Sequence, residues 1–94
     1  MISINTPYEA QIELALKAKE RRRWLKYSRK KAAEISGVPE ATIRKFENTG
    51  EISFRQFLML LKAYGDLSVL DKAFENPPAK TMKELIAIAE RERK

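Results

Sequence analysis

Three glycines, Gly37, Gly50 and Gly65, close three short apolar-patterned segments, and a serine opens two of these, Ser28 and Ser53. A serine hydroxyl accepts from the free N–H groups of a helix's first turn. A glycine takes the left-handed conformation that ends a helix. The middle of the chain is thereby cut into helices over Arg29 to Ser36, Pro39 to Glu47 and Phe54 to Tyr64. Between the first two, Gly37 is followed by Val38-Pro39, and the residue before a proline is pushed out of the helical region. Two helices of about eight residues joined by a glycine-containing turn form a helix-turn-helix unit over about Ser28 to Glu47. The third, with Phe54, Phe57, Leu58, Leu60 and Leu61, is the most apolar element and the expected centre of the core.

Upstream, Asn5-Thr6-Pro7 announces a longer helix, a capping residue followed by proline at the first helical position with Glu9 in the first turn, expected from Pro7 to Lys26. Leu14, Ala18 and Leu25 recur on one stripe, and position 22 completes it. That position is an arginine. A buried arginine needs a carboxylate partner, and Glu47, which follows the apolar anchors Ile43 and Phe46, is placed to supply it. Trp24 lies off the stripe, with packing under the chain ends favoured over exposure to a partner. Downstream, a short helix is expected over Ser68 to Phe74, a break at Asn76-Pro77-Pro78, and a last helix from Met82 to Arg93 capped by Thr81, with Met82, Leu85, Ile86 and Ala89 on one face. That face reads first as docking on the core and second as a dimer or partner contact. The fold class is all-α: one compact bundle of about five short helices over residues 1–76, and a proline-initiated helical tail over 77–94.

The chain has neither cysteine nor histidine. Disulfides, thiolate metal sites and the usual general base are therefore excluded together, and neither a glycine-rich phosphate loop nor a carboxylate pair at metal-binding spacing is found. No catalytic residue, metal ligand or cofactor is expected. The apolar runs are too short to span a membrane, and the first ten residues lack the pattern of a secretory signal, so the expected location is the cytoplasm. Residues 1–50 carry eleven basic and six acidic residues, and residues 51–94 carry eight and seven. The excess of +5 in the first half against +1 in the second points to a polyanion, of which nucleic acid is the commonest.

The segment Ser28-Arg-Lys-Lys-Ala-Ala-Glu-Ile-Ser-Gly-Val-Pro-Glu-Ala-Thr-Ile-Arg-Lys-Phe-Glu47 resembles the Cro/repressor-like (XRE-type) helix-turn-helix regulators, whose pattern is matched over roughly Ala18 to Leu70. Ala33, Gly37, Val38, Ile43 and Phe46 stand where that family has its small residue, its turn glycine and its anchors. The resemblance implies a lambda-repressor-like DNA-binding domain, and a structural ion pair between Arg22 and Glu47. It also implies that the helix from Pro39 to Glu47 enters the major groove, about 12 Å wide. Glu40, Ala41, Arg44 and Lys45 would then meet base edges, while Ser28, Arg29, Lys30, Thr42, Asn48, Ser53 and Arg55 contact phosphates.

The chain departs from the family pattern at three positions. Arg29 replaces the usual glutamine, Pro39 replaces a capping serine or threonine, and Ala32 replaces a larger aliphatic, leaving space that Ile35 is expected to fill. The function implied is a sequence-specific transcriptional regulator, a repressor binding a palindromic operator as a homodimer. Two alternatives stand beside it. The segments Gly37-Val38, Thr42-Ile43, Phe46-Glu47 and Thr49 to Ser53 are similar to HipB-like antitoxins, which implies autoregulation and a HipA-type toxin kinase as partner. The other alternative is a protein-interaction module without a DNA role, using Trp24 and the tail.

Overall fold

The computed structural model describes residues 6–73 and 82–92, and every regular element among them is helical. The elements are α1 (Pro7–Trp24), α2 (Arg29–Ser36), α3 (Glu40–Thr49), α4 (Phe54–Ala63), a 3₁₀ segment (Leu67–Lys72) and α5 (Met82–Glu92). The expected break at Asn76-Pro77-Pro78 and the cap at Thr81 lie outside the described residues.

Local chemistry sets the helix starts. Thr6 Oγ1 accepts from the Glu9 amide at 3.1 Å, Ser28 Oγ from Lys31 at 3.0 Å and Ser53 Oγ from Gln56 at 3.1 Å, so three first turns have one otherwise free donor satisfied. α3 opens on Pro39 with no side-chain cap.

Two helices end two residues away from the expected positions, and α4 ends one residue early, at Ala63. α1 stops at Trp24 rather than Lys26, because Lys26 turns into the left-handed region at φ 62°. There the Tyr27 amide donates to the Arg22 carbonyl and the Lys26 amide to the Arg23 carbonyl, both at 3.0 Å, the paired bonds of a Schellman ending. α3 runs on to Thr49, because Gly50, at φ 80°, is the first residue able to turn the chain, its amide donating to the Phe46 carbonyl at 2.7 Å. Gly50 is also closely packed. A Cβ there would sit 3.2 Å from the backbone of Gln11, where α1 crosses the end of α3. The segment after α4 is a 3₁₀ helix, Leu67–Lys72, where a helix over Ser68 to Phe74 is expected.

α3 packs against α1 and α2, and α2 also packs against α4. Ala15, Ala32, Val38, Ile43, Phe46, Leu60 and Tyr64 form the buried core, with Phe57 meeting Phe46 edge-on at 5.8 Å between ring centres. The stripe of α1 keeps Ala18, Arg22 and Leu25 against the core and departs from expectation at its first position. Ala15 is buried and Leu14 is exposed, because only the smaller side chain fits where α1 lies against α3. Similarly, Ala32 is fully buried and leaves no space that needs filling, so Ile35 stays exposed. Trp24 is 75% exposed, with the Arg21 guanidinium over its ring at 5.5 Å. α5 has no buried residue, which corrects the expectation that it docks on the core.

Candidate nucleic-acid interface

A helix held on one side by Ile43, Phe46 and Glu47 must offer its other side to solvent. Along α3 the exposed positions are Glu40, Ala41, Arg44, Lys45, Asn48 and Thr49, a single face at helical spacing, with Thr42 half-buried at its edge. All four residues expected at base edges thus lie together on one convex surface, near the N-terminal half of α3. Ser28 and Lys30, at the start of α2, and Ser53 and Arg55, at the start of α4, are exposed, and Arg29 is half-buried.

The cations on this face are engaged by neighbouring carboxylates. Arg44 Nη2 lies 3.4 Å from Glu40 one turn earlier, and Lys45 Nζ lies 3.5 Å from Glu51 in the turn after α3. Such exposed pairs are worth about 0 to 1 kcal/mol, so a phosphate or base can displace either carboxylate at little cost.

The buried side of α3 is fixed by charge as well as packing. Arg22 Nε donates to Glu47 Oε2 at 2.7 Å and Nη2 to Oε1 at 3.1 Å, a bidentate pair, while Nη1 donates to the Tyr27 carbonyl at 2.8 Å. The Glu47 side chain is 1% exposed and that of Arg22 is 9% exposed. The bond to Glu47 raises the Arg22 pKa above its ordinary value, with desolvation acting in the opposite direction. A second guanidinium joins the pair, because Arg29 Nε also donates to Glu47 Oε1 at 3.1 Å. One carboxylate therefore ties together the end of α1, the start of α2 and the end of α3. Arg29 reaches inward to this carboxylate, a link that the sequence pattern did not reveal. Beside the cluster, Tyr64 is buried with its hydroxyl lacking a hydrogen-bond partner among the described residues. Burial, reinforced by the Glu47 charge and opposed by Arg22, pushes its pKa up to about 12.

Between α3 and the start of α4, Thr42, Lys45, Ser53, Gln56 and Gln11 line one shallow polar depression. The structure thus brings three expected contact residues, Thr42, Lys45 and Ser53, to one place. It adds Gln56 and Gln11, which sequence reasoning missed. Gln56 was visible as the third residue after the capping Ser53, whose Oγ donates to its Oε1 at 3.1 Å. Gln11 had no local signal, since its Nε2 bond to the Gly50 carbonyl, at 3.3 Å, spans 39 residues.

Among the described residues, no group of three or more His, Cys, Asp and Glu is placed to hold a metal, and no helix is long and apolar enough to cross a membrane. No match is found among curated proteins or solved structures. A helix-turn-helix family model, however, matches residues 19–72, more than half of the 94 residues, from the last third of α1 through the 3₁₀ segment. The chain belongs to the XRE-type helix-turn-helix family of DNA-binding regulators.

Proposed function

We propose that the protein is a sequence-specific transcriptional repressor that binds a palindromic operator as a homodimer, with α3 in the major groove. The observation that carries this reading is the single exposed face of Glu40, Ala41, Arg44 and Lys45 on a helix whose opposite side is locked by Ile43, Phe46 and the Arg22–Glu47 pair. A rigidly seated helix with a solvent-facing donor and acceptor set is what base readout requires. Arg44 and Lys45 would donate to guanine, Glu40 would accept from a cytosine amino group, and Ala41 would touch a thymine methyl. Ser28, Lys30, Thr42, Asn48, Ser53 and Arg55 would hold phosphates at either end of α3. Arg29 would serve there only by sharing or leaving Glu47. Two half-sites one helical turn apart would supply the affinity that a single small domain lacks.

Selection from random duplexes tests the reading. A palindromic consensus whose insertion upstream of a reporter lowers expression when the protein is present is the expected outcome. Sequence-independent retention alone would refute it, and a reporter that rises would make the protein an activator.

A further inference from the structure

Two apolar surfaces remain uncovered. One is a groove between α1 and α4 that continues onto the 3₁₀ segment, lined by Leu14, Ala18, Phe57, Leu61 and Val69 and extending past Leu14 to exposed Phe54. The other is the face of α5 formed by Met82, Leu85, Ile86 and Ala89, all exposed. An isolated helix of fewer than about 12 residues is marginal in water. α5, with 11 residues, therefore needs a surface to hold it, and none of its residues is buried, Ile88 being half-covered.

We propose that the groove receives α5 of a second copy of this chain, and that the exchange is reciprocal, building the homodimer in which the operator reading is cast. Three features select this occupant. First, charge matches. The groove is rimmed by Lys17 and Arg21, which are held by Glu13 at 3.6 Å and by Asp66 at 3.0 Å in pairs exposed enough for an incoming acid to displace. On α5, Glu90 and Lys83 lie along one edge of the apolar face and Glu92 along the other, while Arg91 lies on the far side, so acids outnumber bases two to one at its flanks. Second, the reach suffices. Nine residue steps from Ala73 to Met82 span at most about 30 Å, enough to carry α5 from the 3₁₀ segment, which itself borders the groove, across to a neighbour. Third, the area requires reciprocity. One helix about 16 Å long covers less than the roughly 800 Å² per partner of a standard interface, and a two-fold exchange doubles the contact.

The test uses the full chain and two variants at exposed positions, Leu85→Asp/Ile86→Asp on α5 and Leu14→Asp/Val69→Asp in the groove, with circular dichroism confirming that both fold. Sedimentation equilibrium should show a parent dimer, with each variant dimerising at least about a hundredfold more weakly. Mixing the two variants should restore a heterodimer, since one intact α5 meets one intact groove. A dimer that survives the groove substitutions would mean that α5 pairs with α5, and would overturn the proposal. So would a parent that is monomeric at all concentrations, whether α5 folds back onto its own groove or waits for a different protein. Binding to a single half-site, measured alongside, separates the two claims. Both variants should keep it, and a parent that lacks it would sink the DNA reading while leaving the dimer result to stand.

Discussion

Replacing Glu47 with glutamine removes the charge that two guanidiniums share while preserving the side chain's volume. Glu47 is 1% exposed and accepts from Arg22 at 2.7 and 3.1 Å and from Arg29 at 3.1 Å. The substitution leaves Arg22 charged, 9% exposed and without a counter-charge, with one amide oxygen and the Tyr27 carbonyl as its remaining acceptors. Breaking a buried pair in this one-sided way costs about 3 to 5 kcal/mol, against about 0 to 1 kcal/mol for an exposed pair. Arg29 contributes little to that figure, since its side chain is 29% exposed and can turn to water. For a domain of this size each kcal/mol moves the melting midpoint by about 4 to 8 °C, so a drop of more than about 12 °C is expected. Urea and thermal unfolding followed by far-ultraviolet circular dichroism would measure it. Fluorescence is the poorer probe, because Trp24 is already 75% exposed in the folded chain. The double substitution Arg22→Met/Glu47→Leu should recover most of the loss, because no unpaired charge then remains buried. A cost below about 1 kcal/mol for Glu47→Gln, or a double variant no better than the single one, would refute the reasoning.

Two further outcomes follow from the backbone and the core. Lys26→Gly should stabilise the fold by about 0.5 to 1 kcal/mol in urea titrations, because Lys26 holds φ 62° at the end of α1 and glycine takes that conformation without strain. A loss of stability would mean that the Lys26 side chain has a role its geometry does not display. Tyr64→Phe should be neutral or stabilising by about 1 kcal/mol, since the buried hydroxyl has no partner among the described residues. The same residue makes the parent sensitive to alkali. Its folded pKa is about 12 against an ordinary 10.0, so the contribution is fully present below pH 10 and is lost as pH rises toward 12. This amounts to about 2 to 3 kcal/mol that the phenylalanine variant should not lose.

The local chemistry of this chain was readable without a structure, and its facing was not. Ser28 and Gly37 bound α2 because capping and left-handed turning depend only on the residues concerned. Glu47 was identifiable as the partner of Arg22 because an arginine on an apolar stripe demands an acid. Which side chain of two neighbours turns inward depends instead on how closely two helices cross. The sequence pattern favoured Leu14 where the structure buries Ala15, whereas Ala33 packs against the core beside the fully enclosed Ala32. α3 reached Thr49 because an Asn-Thr pair can continue a helix until a glycine allows it to stop. Trp24 was expected to pack on grounds of residue type alone, and at the last position of α1 it stays exposed, with Arg21 over its ring. Arg29 at Glu47 and Gln11 at Gly50 are contacts across distant elements that no local pattern announces.

The central claim, that the exposed face of α3 reads base sequence, is tested most directly by comparing the parent with Arg44→Ala/Lys45→Ala on a selected duplex and on a scrambled one across a salt series. The parent should prefer the selected duplex, with log affinity falling against log salt at about −0.9 per phosphate contacted. The variant should lose at least about thirtyfold in affinity per recognition helix on the selected duplex and most of the preference over the scrambled one. Equal binding of both duplexes by parent and variant alike, at every salt concentration, would contradict the account.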